Sequence, residues 1–461
     1  MQVKNDAVRK PSAAVAAMQN DWQLVAALMG GTKAMRVAGP TYLPKWPAED
    51  GPSYAARLAT ATLFPAYQRT VEVLSAKPFS KPITVDKDVP TELQALFENI
   101  DLQGRNLDVF AADVAAEAMA YGMAGILVDV PVAEGVRTRA DEKMRGIRPY
   151  FVQIHPGNIL GWKAQIDGGE WKLTQLRLLE QCLEEDGEFG EKLVEQIKVY
   201  TPGAWQAWRK RQSADGEEWF VHQEGITTYS GIPFVPVYGK RTGFMTSTPP
   251  MLELAHANIE HWQSKSDQQS ILHVARVPLL FGRQLGQTAI VVGAGSLVSS
   301  DAEHADLRYV EHSGAAIEAG RKSLLDLEDR MRQIGAELLV IKPGNITEAQ
   351  TLADNEPGMC ALQRITQHLE NAIDQALAVA AEWIGITHAG HISLFSDFGA
   401  ATLAEAHAEL LFNMEAGGAL TLETLLNELK RRGILSPDVD VPKEIAKAAA
   451  LPKPTKSELI T

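Results

Sequence analysis

In the C-terminal half of the chain, apolar residues fall at helical three-and-four spacing in three stretches. Leu362, Ile365, Leu369, Ala372, Ala376, Val379 and Trp383 alternate steps of three and four without a break, which predicts one long helix over 358–386 with a coiled-coil-like seam. Leu324, Leu327, Met331 and Ile334 predict a second helix over 315–334, with charges of alternating sign on its other face. A third, over 251–275, begins with a stripe of Met251, Ala255, Ile259 and Trp262 and then loses it, because Gln263 to Ser270 contains no apolar residue. Two turns that are polar all round must fray, bridge through solvent, or pack against polar neighbours.

Upstream the pattern mixes periods. Helical spacing covers 53–75, with Ser53 as its N-cap, and 107–121, which stops at Gly122; strand-like runs follow at Ala124–Val130 and Pro149–Ile154. Over 170–240 the period becomes two, in Trp171–Leu179, Val194–Tyr200, Ala204–Trp208 and Trp219–His222, with Asp-Gly and Pro-Gly turns between them: an antiparallel meander. The two prolines of Gly231–Tyr238 confine that run to a sheet edge. Between the helices at 251–275 and 315–334 lie short strand-like runs at Val277–Phe281, Ala289–Val292 and Leu307–Val310, and a loop over 340–357 precedes the longest helix. Helices are expected at Leu403–Glu415 and Leu422–Arg432, and a flexible tail rich in Pro, Lys and Ala from Pro437. Residues 1–40, Ala-rich and helical only around Asp21–Met29, read as peripheral. The fold class is α+β, and no internal repeat is present.

Composition narrows the function. At 461 residues, 45% hydrophobic and 22% charged, the chain can bury two or three packing units and is neither disordered nor membrane-spanning in character. Its opening residues carry no apolar stretch of the secretory kind, and the expected compartment is the cytoplasm where it is made. The net charge of −14 argues against a conventional DNA-binding domain, which needs clustered Lys and Arg to displace counterions. Cys182 and Cys360 read as two buried small hydrophobes rather than a disulfide.

Motifs for chemistry fail one by one. Gly293-Ala-Gly295 follows a strand, but Val298 stands where a dinucleotide fingerprint needs its third glycine, so a plain Gly-rich turn is the better reading. There is no P-loop. His256 and His261 are five apart and cannot share a helix face as a metalloprotease pair must, and His388 and His391 lack a third ligand. Arg209-Lys210-Arg211, after Trp205 and Trp208, could touch phosphate or form a solvated hairpin end. No catalytic, cofactor or metal site is expected.

Several local texts, in order, resemble phage portal proteins, and most closely a portal family long catalogued only as a domain of unknown function. They begin with Tyr42-Leu-Pro-Lys-Trp-Pro-Ala-Glu49, Tyr54-Ala-Ala-Arg57, Arg69-Thr-Val and Lys77-Pro-Phe-Ser-Lys-Pro82. They continue through Ala120–Asp129, Arg148-Pro-Tyr, Ile232-Pro-Phe-Val-Pro, Pro249–Ala255, Tyr309–Gly314 and Met331–Leu339. The likeness covers about residues 40–390, and each text alone is weak.

The resemblance implies an N-terminal arm (1–39), a wing (40–248), a first stem helix (249–276), a small α/β clip (277–313) and a second stem helix (314–336). A tunnel loop (337–357), a long wing or crown helix (358–400), crown helices (401–436) and the tail (437–461) would follow. It further implies a homo-oligomeric ring, usually of twelve copies, at one capsid vertex of a virion made in the bacterial cytoplasm. Double-stranded DNA would pass through the ring without sequence specificity. The implied partners are the terminase large subunit, major capsid and scaffolding proteins, and head-completion or adaptor proteins, with no membrane and no cofactor. Lys342, Asn345 and Thr347 would face DNA from the tunnel loop, Gln263, Lys265 and Gln268 would line the stem channel, and Arg283 and Gln287 would meet terminase. Another minor head or adaptor protein is the alternative, and a nucleotide-dependent enzyme built on Gly293 and Gly295 a more distant one.

Overall fold

The computed structural model describes residues 5–131, 144–213, 216–276, 279–284, 302, 304–310, 314–339, 359–398, 412, 414–415, 418, 420–431, 435 and 439–450. Helix α1 (Ala13–Met29) is capped by Ser12, whose Oγ accepts from the Val15 amide at 3.4 Å. It lies in the core rather than at the periphery: Val15, Trp22, Val25 and Leu28 are buried, and Trp22 Nε1 donates to Tyr121 O at 3.1 Å. The stripe is three-and-four spaced from Val15 through Met18, Trp22 and Val25, but the alanines around it lower its contrast in the sequence. Helix α2 (Gly31–Ala38) follows directly.

The helix expected over 53–75 is two helices, α3 (Gly51–Thr60) and α4 (Ala66–Ala76). Pro65 lacks an amide to donate and disfavours helical backbone at the residue before it, so the chain breaks there. The cap of α3 is Asp50, whose Oδ1 accepts from the Ser53 amide at 2.6 Å, and not Ser53. Helix α5 (Leu107–Tyr121), capped by Asn106, ends at Gly122 with φ +87°. A Cβ on Gly122 would stand 2.4 Å from the Thr248 carbonyl, so only glycine allows the chain to turn there.

Strand β1 (Met123–Asp129) is the centre of a three-stranded antiparallel sheet between β2 (Tyr150–Ile154) and β3 (Phe234–Tyr238). Pro236 sits opposite Gly125 on the edge strand β3, where a missing donor costs no ladder bond. Alternation along β1 divides two cores. Ala124, Ile126 and Val128 face α5 and the long helix α6 (Ala361–Ile384), while Met123 and Leu127 face the core built with α1 and α4. The coiled-coil-like seam of α6 therefore has no second long helix as its partner among the described residues: Leu369, Ala372, Ile373 and Ala376 pack on α5 and the sheet. An apolar stripe at this spacing fits a sheet face as well as a helix.

The meander has five strands in sequence order, β4 (Ile159–Asp167), β5 (Glu170–Asp186), β6 (Gly190–Thr201), β7 (Ala204–Ser213) and β8 (Gly216–Ile226). Its strands outrun their apolar alternation, because hairpin ladders satisfy the backbone whatever the side chains are. Leu160, Ile197, Val199 and Trp219 form its own small core. The N-terminal segment is tied to it, through Asn5 Nδ2 to Trp219 O at 3.0 Å and Arg9 to Glu195 at 2.8 Å. At the C-terminal end, α7 (Leu422–Arg431) is followed by α8 (Val441–Ala450) in what was expected to be flexible tail. Asp440 caps α8 by accepting from the Lys443 amide, and Lys430 Nζ donates to Val439 O at 2.9 Å.

Trp22→Ala is expected to destabilise the fold by about 3–5 kcal/mol, the cost of emptying a buried aromatic site. Urea midpoints measure it; a change within about 0.5 kcal/mol, as at an ordinary surface position, would return α1 to the periphery.

Candidate functional site

The feature that the architecture singles out is a helical hairpin. For clarity its outgoing helix, Leu252–Ala275, is αA and its returning helix, Ala315–Ala336, is αB. Between them Leu279–Arg283 pairs antiparallel with Asp306–Val310, Leu279 opposite Val310 and Arg283 opposite Asp306, so that a two-stranded tip caps the far end. At about 1.5 Å per residue, αA is about 36 Å long.

The first half of αA is rooted in the main core. Met251, Leu254, Ala255, Ala257 and Trp262 are buried there. Asn258, fully buried among them, uses both ends of its amide on the break between α3 and α4. Its Oδ1 accepts from the Tyr67 amide at 3.0 Å, and its Nδ2 donates to Phe64 O at 2.9 Å. His261 lies against the Phe64 ring, centroids 5.2 Å apart, with Nε2 3.3 Å from Glu328 Oε1 on αB. Burial holds its imidazole below the ordinary histidine range, and Glu328 opposes that shift.

Beyond Trp262 the polar turns find their partners within the chain. Gln263 Nε2 donates to Tyr42 O at 3.0 Å, and Gln268 Nε2 donates to Ile317 O on αB at 2.8 Å. Gln268 is buried, and a Cβ on Gly320 would come within 2.0 Å of its Oε1, so a larger residue there would displace this amide. Of the three predicted lining residues, Gln263 and Gln268 are thus turned to internal partners, because unpaired amides at a helix contact would be costly. Lys265, on the same helix, is half-buried.

Asp267 reaches the other structure that steadies αA. Arg57 forms a two-pronged ion pair with Glu49, Nε to Oε1 at 2.7 Å and Nη2 to Oε2 at 2.8 Å, and Nη2 also donates to Pro44 O at 2.8 Å. The Trp46 ring covers its guanidinium at 4.2 Å from the centroid, the Tyr54 ring lies at 5.4 Å, and Asp267 stands 4.0 Å away. Hydrogen bonding between the two raises the Arg57 pKa and lowers that of Glu49. The texts Tyr42–Glu49 and Tyr54–Arg57, read only as family likeness, are this knot.

The remaining candidates separate. Arg283 is exposed at the tip, whereas Gln287, Lys342, Asn345, Thr347 and the Gly293–Gly295 turn lie outside the described residues. The outward face of αB carries the pairs Glu318–Arg321 and Asp329–Arg332. The basic cluster is neutralised within the meander: Arg209 meets Glu184 on β5, and on β8 Glu217 meets Lys210 at 2.8 Å and Glu218 meets Arg211 at 2.7 Å. His391 pairs with Asp374 at 3.0 Å, and His256 is exposed. Among the described residues no three His, Cys, Asp or Glu side chains are placed to hold a metal, and no helix is long and apolar enough to cross a membrane. Sequence reasoning missed Asn258 and the Arg57–Glu49 pair; the one signal was an asparagine inside an apolar stripe.

A family model described as a domain of unknown function, DUF4055, matches residues 250–384. The match opens just before αA and closes at the last residue of α6. No curated protein matches the chain. Among solved structures the chain is similar to one in the virion of a native gene transfer agent particle, at 11% identity and a TM-score of 0.41, over 86% of this chain and 98% of that one. It is also similar to one in the neck of an empty particle computed with C6 symmetry, at 12% identity and a TM-score of 0.39, over 78% and 87%. A third, in the neck of a native particle computed with C12 symmetry, stands at 10% and 0.40, over 78% and 88%.

Two outcomes test the site's electrostatics. Arg57→Ala strands the shielded Glu49 carboxylate and is expected to cost about 2–3 kcal/mol by urea denaturation, with Arg57→Lys recovering only part because lysine lacks the fork. Since His261 is depressed by burial, the unfolded chain protonates first as pH falls. Its contribution is full above the unfolded value of about 6.5 and is lost as pH drops through it towards the folded value. His261→Gln should flatten that part of the stability profile, and a slope equal to the wild type's would contradict the assignment.

Proposed function

We propose that the chain is the subunit of a portal ring of a tailed phage or phage-like particle. The observation that carries this reading is the hairpin of αA, tip and αB. It is a rooted helix pair with a small β-paired end, in the place where the ordered family texts put stem, clip and stem. The DUF4055 match over 250–384 spans that same unit together with α6. In the ring, usually of twelve copies, the helix pair walls a channel and the tip, with Arg283 and Gln287, meets the terminase motor. The loop over 337–357 approaches DNA through Lys342, Asn345 and Thr347. Lys265 and the outward face of αB are the stem side chains left to face a channel, since the amides of Gln263 and Gln268 are engaged.

The acidity of the chain suits this work. A conduit must let duplex DNA slide, and a basic wall would hold it by counterion release. Its 58 acidic residues outnumber the 44 Lys and Arg, giving a net charge of −14. The same ring would nucleate head assembly and later bind head-completion or adaptor proteins, a mechanical function with no catalytic residue.

Particle mass is the test. A 50.2 kDa chain in a twelvefold ring gives a particle of about 0.6 MDa, well above ordinary closed oligomers. Mass photometry under assembly-permitting conditions should find a closed species near that mass, and a population that stays monomeric or dimeric would refute the ring.

A further inference from the structure

The far end of the β5–β6 hairpin is apolar where a solvated turn would be polar. Phe189 in the turn is 92% exposed, and Leu183 and Leu193, cross-strand partners on one face, are 59% and 67% exposed. Around them stand Glu184, Glu185, Asp186, Glu188 and Glu191, with Lys192 the one base. Glu184 is held by Arg209; the other four acids make no ion pair among the described residues. Three large apolar side chains on an acid-ringed projection are a surface awaiting a partner.

A cleft of complementary character lies elsewhere on the molecule. Where αA begins, αB ends and α6 begins, a cavity of about 480 Å³ opens over Met251, Ile334, Leu338 and Ile365. Lys240, Arg241 and Arg364 stand at its margin, and of its two acids Glu253 is already paired with Arg330 at 3.3 Å. The hairpin end cannot fill its own cleft. Trp171, at the near end of β5, lines an adjoining cavity that shares Arg241 and His368 with this one, whereas the turn lies beyond Asp186 on the same strand, about 50 Å away at 3.3 Å per residue.

We infer that the acid-ringed apolar end of the β5–β6 hairpin, led by Phe189, docks in the base-rimmed cleft over Met251 and Ile365 of a second copy of this chain. Knob and hole on distant parts of one surface make a head-to-tail contact, and such contacts close into rings when the rotation between copies permits. The inference rests on the ring reading and deepens it by naming a contact between neighbours. The acids give the docking electrostatic register, and Phe189 and the two leucines give it apolar area.

The test uses two full-length single-cysteine chains, Glu188→Cys, beside Phe189 in the exposed turn, and Met359→Cys, each with Cys182→Ala and Cys360→Ser and otherwise unchanged. Met359 lines the cleft and is half-exposed. Mixed and treated with a short bismaleimide, they should give a covalent dimer that neither chain gives alone, while mass photometry reports the ring. A ring without the mixed cross-link overturns this contact and leaves the ring standing. A cross-link without a ring supports the contact and removes the ring, and neither product removes both. Separately, Phe189→Asp, at a position too exposed to affect folding, should weaken self-association at least tenfold; unchanged association would overturn the inference.

Discussion

The buried amide of Asn258 joins αA to the break between α3 and α4, and the direction in which the helical hairpin leaves the core follows from that clamp. An asparagine in the middle of an apolar helix face is costly unless all its hydrogen bonds are met. Here the Tyr67 amide and the Phe64 carbonyl, backbone groups on either side of Pro65, engage both ends of its amide. The break and the clamp therefore need each other. Trp262, one turn further on and fully buried, adds the apolar area that the amide cannot supply.

From that root the helix pair extends by exchanging apolar contacts for specific polar ones. Gln263 reaches back to Tyr42 in the Arg57–Glu49 knot, and Gln268 reaches across to Ile317. Each contact fixes an angle as well as contributing energy, so the pair can leave the main core and keep its geometry. A helix pair joined this way needs little apolar surface along its length, and its outer face carries paired charges such as Glu318 with Arg321. That combination is what a wall between protein neighbours and a water-filled channel would need.

Much of this arrangement was legible in the sequence, and the exceptions share a cause. The ends of α5, αA and αB, the edge position of β3 and the order of helix, strands and helix all follow from local period, capping and proline chemistry. The polar turns after Trp262 were visible as an anomaly, but their partners lie 221 residues upstream at Tyr42 and 49 downstream at Ile317, beyond any local pattern. Helix α1 was underestimated because alanine separates its core positions, and the seam of α6 suggested a helical partner because spacing reports a buried face and not what buries it. The knot at Arg57 could be recognised only as text, since its chemistry depends on the turn that folds Trp46 over the guanidinium.

The proposed ring places the helix pair αA–αB, and not the five-stranded meander, around its axis. Electron cryomicroscopy of assembled full-length particles tests it most directly. The prediction is a central opening walled by residues 252–275 and 315–336, with the tip strands at one mouth. An opening walled by the meander, or a particle with no axial opening, would contradict it.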